Sequence, residues 1–535
     1  MNRNTAILLM VTGIMLGCSP NSYEVGQDKN GRSIISAHNI LANLEFLTAD
    51  DLEGREATQR GEKLAALFLC SELQKYGVSP WPGAPGYLQT IDLRLIRFSD
   101  KSQLQLEDQQ GNVIHSYQYG EDFVGASHYY PKLDTTAGIV FAGYGITAAE
   151  FNYDDYARIG VEGKVVVVFY GEPGSTDSAY FNGIKESRYA FFGHKIINAG
   201  AHGAIGIILL SQFEKTYGWS KMRTYVQKGN LQLKDDALAT GRQSEFPTIP
   251  SISIRERSLW PLFASEKYSV DSLLVLLANR QALPAFIFKK HVRLTWEFDT
   301  DSIVQAHNVV GMIPGTDAEL RHEYVGIGAH YDHVGMAGDT VYNGADDNAS
   351  GTAAILEAAG ALAREHRNKR SVLVIFHTAE EKGLLGSKYM SQQADVAQSM
   401  IAYINLDMVG GGSADSIYSV GADHISPELQ EITETVNAAT VRFKFNYDLN
   451  NPDHPERAYY RSDHFNYGLQ GIPAIFFFDY YMKDYHTPAD DLDKLNIKKI
   501  ARISELTCQL ALKLANHKGR LRADYLNNFS KDPVD

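Results

Sequence analysis

The stretch from Tyr324 to Gly360, YVGIGAHYDHVGMAGDTVYNGADDNASGTAAILEAAG, constrains the fold most, because it reads as strand, loop and helix in that order. Tyr324 to Ala329 is a short apolar run suited to a buried strand, and His330 and Asp332 stand where it gives out into loop. Asp346, Asp347 and Asn348 come just before Thr352 to Ala363, in which Ile355, Leu356, Ala359, Leu362 and Ala363 share one helical face. Open α/β sheets bind ligands beyond the carboxyl ends of their strands, so this junction is the expected place for a site.

The chain on either side repeats the theme. Apolar residues recur at helical spacing from Ile34 to Leu47 and from Glu62 to Tyr76, with Gly77 placed to cap the second helix. Strands are expected at Ala306 to Ile313, Val372 to Thr378, Met400 to Leu406 and Ala474 to Phe478, and a last amphipathic helix carries Ile497, Ile500, Ile503, Leu506 and Leu510. Alternating strands and helices predict an α/β fold with a mostly parallel sheet sandwiched by helices. The 535 residues exceed what one core serves, and between about Asn112 and Pro284 the texture changes to β-rich, with Gly138 to Gly145, the run Lys164 to Tyr170, and KIINAGAHGAIGIILL. The expected division is therefore 34–111 and 285–520 as one domain, with 112–284 inserted into it and 521–535 as a tail.

Residues 1–17 carry Arg3 ahead of the apolar run Ala6 to Leu16, too short to span a bilayer comfortably but right for the core of an export signal. Leu16-Gly17-Cys18 resembles the end of a bacterial lipobox. That likeness implies lipidation of Cys18, a flexible tether over 18–33 and an outer-membrane lipoprotein, with plain secretion or a soluble periplasmic protein as the alternative. The lipid is then the only membrane contact expected. A formal net charge of -14 offers nothing like the basic face that nucleic acid needs. Cys70 and Cys508 read equally as two buried thiols or as one disulfide, and neither has metal-ligand spacing.

Each buried strand ends in a residue able to hold a metal: His330, then Glu380 and Glu381 after SVLVIFHTA, Asp407 after MIAYINL, and His486 in the loop after PAIFFFD. Singly, each has an ordinary reading as a cap or a solvated turn. Together, carboxylates and imidazoles converging on one sheet edge would cost several kcal/mol unless cations neutralised them. Two His with carboxylates and no thiolate suit a pair of hydrolytic zinc ions spanned by one carboxylate.

The motifs GAHYDHVG, GADDNASG, TAEEKGLLGS, NLDMVG and YHTPADD, in this order and with LEGR at Leu52 to Arg55, are similar to those of the co-catalytic dizinc exopeptidases. That family includes the bacterial leucyl-type aminopeptidases and the plasma glutamate carboxypeptidase. The 112–284 segment resembles the protease-associated domain commonly inserted into exopeptidases. The resemblance implies a zinc-exopeptidase fold and hydrolysis of N-terminal residues of peptides. It implies two Zn2+ ions: His330 and Asp407 would hold one, Glu381 and His486 the other, and Asp347 would bridge them. Glu380 would be the general base on a metal-bridging water, Asp332 the carboxylate behind His330, and Tyr485 a stabiliser of the oxyanion. Asp346 is assigned to helix capping or to hydrogen bonds behind the ligands, His333 to the rim, and Asp463 and His464 to no metal. A carboxypeptidase or dipeptidase on the same site, with Arg461 on the leaving side, is the first alternative. A single-zinc glutaminyl cyclase and a catalytically silent binding protein are further ones. Oligomeric state is not legible.

Overall fold

The computed structural model describes residues 24–27 and 33–523 apart from 126–132, 178, 182, 184–185, 211–217, 236–248, 452–453, 455 and 480–482. The export signal, Cys18 and most of the C-terminal tail lie outside the described residues.

One ten-stranded sheet carries the candidate residues. Its centre is parallel: Ser371–His377, Tyr324–His330, Met400–Asp407 and Ala474–Phe478 lie side by side and run the same way. These strands are apolar and buried almost end to end, as expected where helices cover both faces. Outside this centre the sheet is antiparallel. Leu88–Phe98 and Phe298–Ile313 form a long ribbon beside Ser371–His377, and Ser416–Val420 pairs antiparallel with Ala474–Phe478. In Leu88–Phe98, buried Ile91 and Leu93 alternate with the more exposed Thr90, Asp92 and Arg94, the pattern of a strand with one face in solvent.

The helices Ala37–Leu47, Arg60–Lys75, Gly351–Glu365 and Ile497–Ala515 cover one face and build the largest core with the central strands. Ser36 caps the first, accepting from the Asn39 N–H at 3.2 Å, and Asn496 caps the last, accepting from Lys499 at 3.1 Å. Met390, Tyr403, Tyr459, Tyr467 and Phe476 fill the opposite face.

A second sheet of eight strands starts at Gln103 and ends at Trp296, wider at both ends than 112–284. Gln103–Glu107 pairs with Ala285–Trp296, and their alternation is continuous with that of neighbouring β segments. KIINAGAHGAIGIILL supplies most of the helix Phe192–Ala201 and the strand Gly206–Leu210. Asn230–Leu233, from within the same segment, crosses back and pairs with Leu88–Phe98 of the first sheet. Cys70 and Cys508 are separate thiols, Cys508 fully buried.

Candidate metal centre

Because the central strands are parallel, their carboxyl ends share one edge, and the loops leaving them bring the charged residues together. Three of these loops contain a non-glycine residue at positive φ: Ala379 before Glu380, Met408 after Asp407, and His486 itself. Such backbone costs about 1–3 kcal/mol each and persists where the surroundings impose it. The Asp347–Asn348 peptide is cis.

Two groups of donors meet here, each with its ligating atoms within 4.8 Å of one another, and Asp347 belongs to both. Its Oδ1 lies 3.4 Å from His330 Nε2, which is 3.3 Å from Asp407 Oδ1. Its Oδ2 lies 3.1 Å from His486 Nε2, which is 3.0 Å from Glu381 Oε2. Donors at metal–ligand distances of about 2.0–2.1 Å in a tetrahedron stand about 3.3 Å apart. The spacings therefore fit metal ions, with one carboxylate oxygen turned toward each position. Glu380 belongs to neither group, and its Oε2 is 3.9 Å from His330 Nε2.

Behind the donors lies a set of hydrogen bonds that fixes them. His330 Nδ1 donates to the Asp332 backbone carbonyl at 3.1 Å, which leaves Nε2 facing the cluster. The Asp332 carboxylate stands further off, at 3.8 Å, and accepts instead from the Glu380 N–H at 3.1 Å, so it anchors the turn carrying Glu380. Ser462 Oγ donates to Asp407 Oδ2 and accepts from Asn405 Nδ2 at 2.7 Å. Asp346 does not cap the helix: its Oδ1 accepts from the Gly410 N–H at 2.7 Å, holding the loop after Asp407. Asp490 accepts from the Asp346 and Asp347 N–H groups at 2.7 and 3.1 Å. Asp463 and His464 are fully buried and belong to neither donor group.

Arg55, from LEGR, is the cation beneath this assembly. It is 1 % exposed and donates to the carbonyls of Leu47, of Tyr331 at 2.8 Å, of Asn343 at 2.6 Å and of Gly344 at 2.9 Å. It thus ties the loop of His330 to the loop of Asp347. Burial lowers its pKa to about 10, which leaves it charged at neutral pH. Glu56, next in sequence, accepts from Lys382 at 2.8 Å and from Lys228 at 2.9 Å, and Lys228 also donates to the Val334 carbonyl at 2.7 Å. Through Lys228 the 112–284 segment touches the loop that carries His333.

Among the protein groups alone, the imidazoles act as the counter-cations. Burial works against the His330 imidazolium, but Asp407 and Glu380 outweigh it and raise the pKa well above the usual value. His486, similarly opposed by burial, is raised to about 10 by Glu381 and Asp347. Burial pushes Asp347 up, yet His333, His330 and His486 hold it well below the usual carboxylate range. Glu381 is held at about 2, His486 outweighing burial. Burial, with Glu381, Asp407 and Asp463 nearby, pushes Glu380 well up, and burial takes Asp332 to about 8.

A metal must displace the imidazole protons, which are bound at every pH below the raised values. Affinity therefore rises with pH, about tenfold per unit for each proton displaced. Competition against a chelator from about pH 6 to 8 should show this slope, and a flat profile would contradict the protonated imidazoles.

A cleft opens beside Glu380, Asp347 and Asp407, floored by Met408, Ala458, Phe476 and Phe478 and walled by Glu456, Arg461 and Tyr485. Tyr485 stacks on the His486 ring, with centroids 3.8 Å apart. The Arg461 guanidinium lies 5.8 Å from the Tyr485 ring centre and 3.3 Å from Glu456 Oε2.

His333 corrects the sequence-based expectation. It is not on the rim but 0 % exposed, with Nδ1 2.9 Å from Glu381 Oε1 and 3.6 Å from Asp347 Oδ2, inside the group of His486. Its position three residues after His330 was the available signal. The turn at Gly344 that seats its ring was not.

A buried carboxylate shared by two groups of donors able to hold metal, at the carboxyl edge of a parallel sheet, makes this a candidate metal-binding site in an α/β fold. Over residues 308–511, which include every donor, the chain matches Peptidase family M28. It is 29% identical over 239 residues to a probable leucine aminopeptidase of Trichophyton verrucosum, a match covering 39% of this chain and 64% of that protein. It is 32% identical over 204 residues to the uncharacterized protein YfbL of Escherichia coli, covering 33% and 62%. The chain thus spans less than two thirds of the length of these curated relatives. Among solved structures it resembles an aminopeptidase from an Aneurinibacillus species, with a TM-score of 0.55 and 19% identity, over 94% of this chain and 97% of that one. A zinc aminopeptidase from Bacillus subtilis gives a TM-score of 0.51 and 20% identity, over 92% and 98%. These two share the fold.

Proposed function

We propose that the protein is a zinc-dependent exopeptidase of the aminopeptidase type, holding two zinc ions. The observation that carries this is Asp347, whose two oxygens face two separate donor groups with Glu380 beside them in the cleft. His330, Asp347 and Asp407 would hold one ion, and Asp347, Glu381 and His486 the other. Zinc bound there supplies Lewis acidity, polarising a scissile carbonyl and acidifying water. The names of the curated leucine aminopeptidases and of the Bacillus subtilis zinc enzyme support both the metal and the reaction.

The chain's own groups do the rest. Glu380 is not needed as a ligand and faces the cleft, so its carboxylate takes the proton of the attacking water and passes it to the departing nitrogen. The Asp332 bond to the Glu380 N–H holds that carboxylate in place. The Tyr485 phenol, fixed by stacking on His486, is the donor for the developing oxyanion. The apolar floor of Met408, Phe476 and Phe478 suits an apolar side chain on the substrate.

The choice of peptide end follows from charge. Glu380 and Glu456 are the carboxylates that line the cleft outside both donor groups and so face a free ammonium group, whereas Arg461 is the only cation among the described residues lining it and already faces Glu456. A substrate carboxylate finds no side-chain cation among the described lining residues that is not already facing an acid. The test is release of the first residue from one peptide supplied free and N-acetylated. Only the free peptide is expected to be cleaved. Equal cleavage of both forms, or loss of the C-terminal residue, would sink the aminopeptidase assignment.

A further inference from the structure

The two donor groups are unequal, and the inequality lies in His333. Three protein donors surround the position of His330 and Asp407, whereas four surround that of Glu381 and His486. We propose that His333 is a sixth protein ligand, coordinating through Nδ1, so that one metal position is closed by four protein donors while the other stays open. This rests on the dizinc reading above and goes beyond the five donors it needs.

Three observations support it. The spacings suit a tetrahedron: His333 Nδ1 stands 2.9 Å from Glu381 Oε1 and 3.6 Å from Asp347 Oδ2, and His486 Nε2 stands 3.1 Å from each of the same two oxygens. These bracket the edge of about 3.3 Å expected for ligands at 2.0–2.1 Å. Next, His333 Nδ1 and Asp347 Oδ2 are both buried without a hydrogen-bond partner. Buried polar atoms left without a hydrogen bond are costly unless something between them completes both. Finally, the ring has a built seat. Gly344, at φ +56°, lies against it so closely that a Cβ there would come within 2.4 Å of His333 Cγ.

Closed four-ligand zinc positions hold their metal for structure, and positions with three protein ligands keep one place for water or substrate. The His333 position should therefore fill first and exchange slowly, leaving the His330 position as the one that exchanges ligands.

X-ray absorption at the zinc edge tests this without reference to activity. With one equivalent of zinc per chain, the proposal expects two imidazoles per ion, from His333 and His486, falling to one in His333→Ala. Chelator competition on the same variant should show one zinc weakened by more than about 100-fold, beyond the roughly 10- to 100-fold of a hydrogen-bonding partner, with the other unchanged. The wild-type count serves as the test even if the variant folds poorly. Two zinc ions bound, with one imidazole each at both loadings, overturns the role of His333 and leaves the dizinc reading standing. A protein that retains no zinc overturns both.

Discussion

Glu380→Gln lowers kcat for release of an N-terminal residue by roughly 100- to 10,000-fold, the range for loss of a positioned general base. KM and zinc content stay near wild type. The expectation follows from geometry: Glu380 lines the cleft, stands outside both donor groups, and its turn is fixed through a backbone N–H that the substitution leaves in place. Glutamine keeps the size and removes the capacity to accept and return a proton. The measurement is kcat and KM beside metal content by elemental analysis. A variant that loses zinc in proportion to activity would make Glu380 a ligand. One with unchanged kcat would remove it from the mechanism.

Arg55→Met carries the second large effect, and on stability rather than chemistry. The guanidinium is buried, serves carbonyls of Leu47, Tyr331, Asn343 and Gly344, and is the internal cation facing Asp490, Asp347, Asp332 and Glu381. Methionine fills the space but leaves those carbonyls and carboxylates uncompensated, which is expected to cost on the order of 3–5 kcal/mol. Arg55→Lys keeps the charge and loses the fork, and should fall between the two. Thermal unfolding and zinc competition on the three proteins check this. A Met variant that melts with wild type and binds zinc as tightly contradicts the role assigned to Arg55.

The central strands were legible because each is an apolar run too continuous for anything but a strand buried on both faces, and each ends in a ligand-type residue. That pattern by itself places His330, Glu381, Asp407 and His486 on one edge. Periodicity could not mark where one β region stops and another starts. Gln103–Glu107 and Ala285–Trp296 alternate like the strands of the first sheet yet pair in the second, and Asn230–Leu233 does the reverse. The supporting groups were also hidden, since Arg55 reaches Tyr331 and Gly344 across more than 270 residues. His333 was misplaced for a related reason: only the turn at Gly344 shows that its ring points inward. Asp332 was recognised as a neighbour of His330, but it is the backbone carbonyl, not the carboxylate, that meets the imidazole.

The proposal that the donors around Asp347 would hold two zinc ions in one hydrolytic site is tested most directly by stripping the protein of metal, returning zinc stepwise, and following bound zinc and cleavage of the free and N-acetylated peptide pair together. Two zinc ions per chain, with cleavage of the free peptide alone appearing as they bind, is the expected result. Full activity in stripped protein, or two bound zinc ions with neither peptide cleaved, would contradict it.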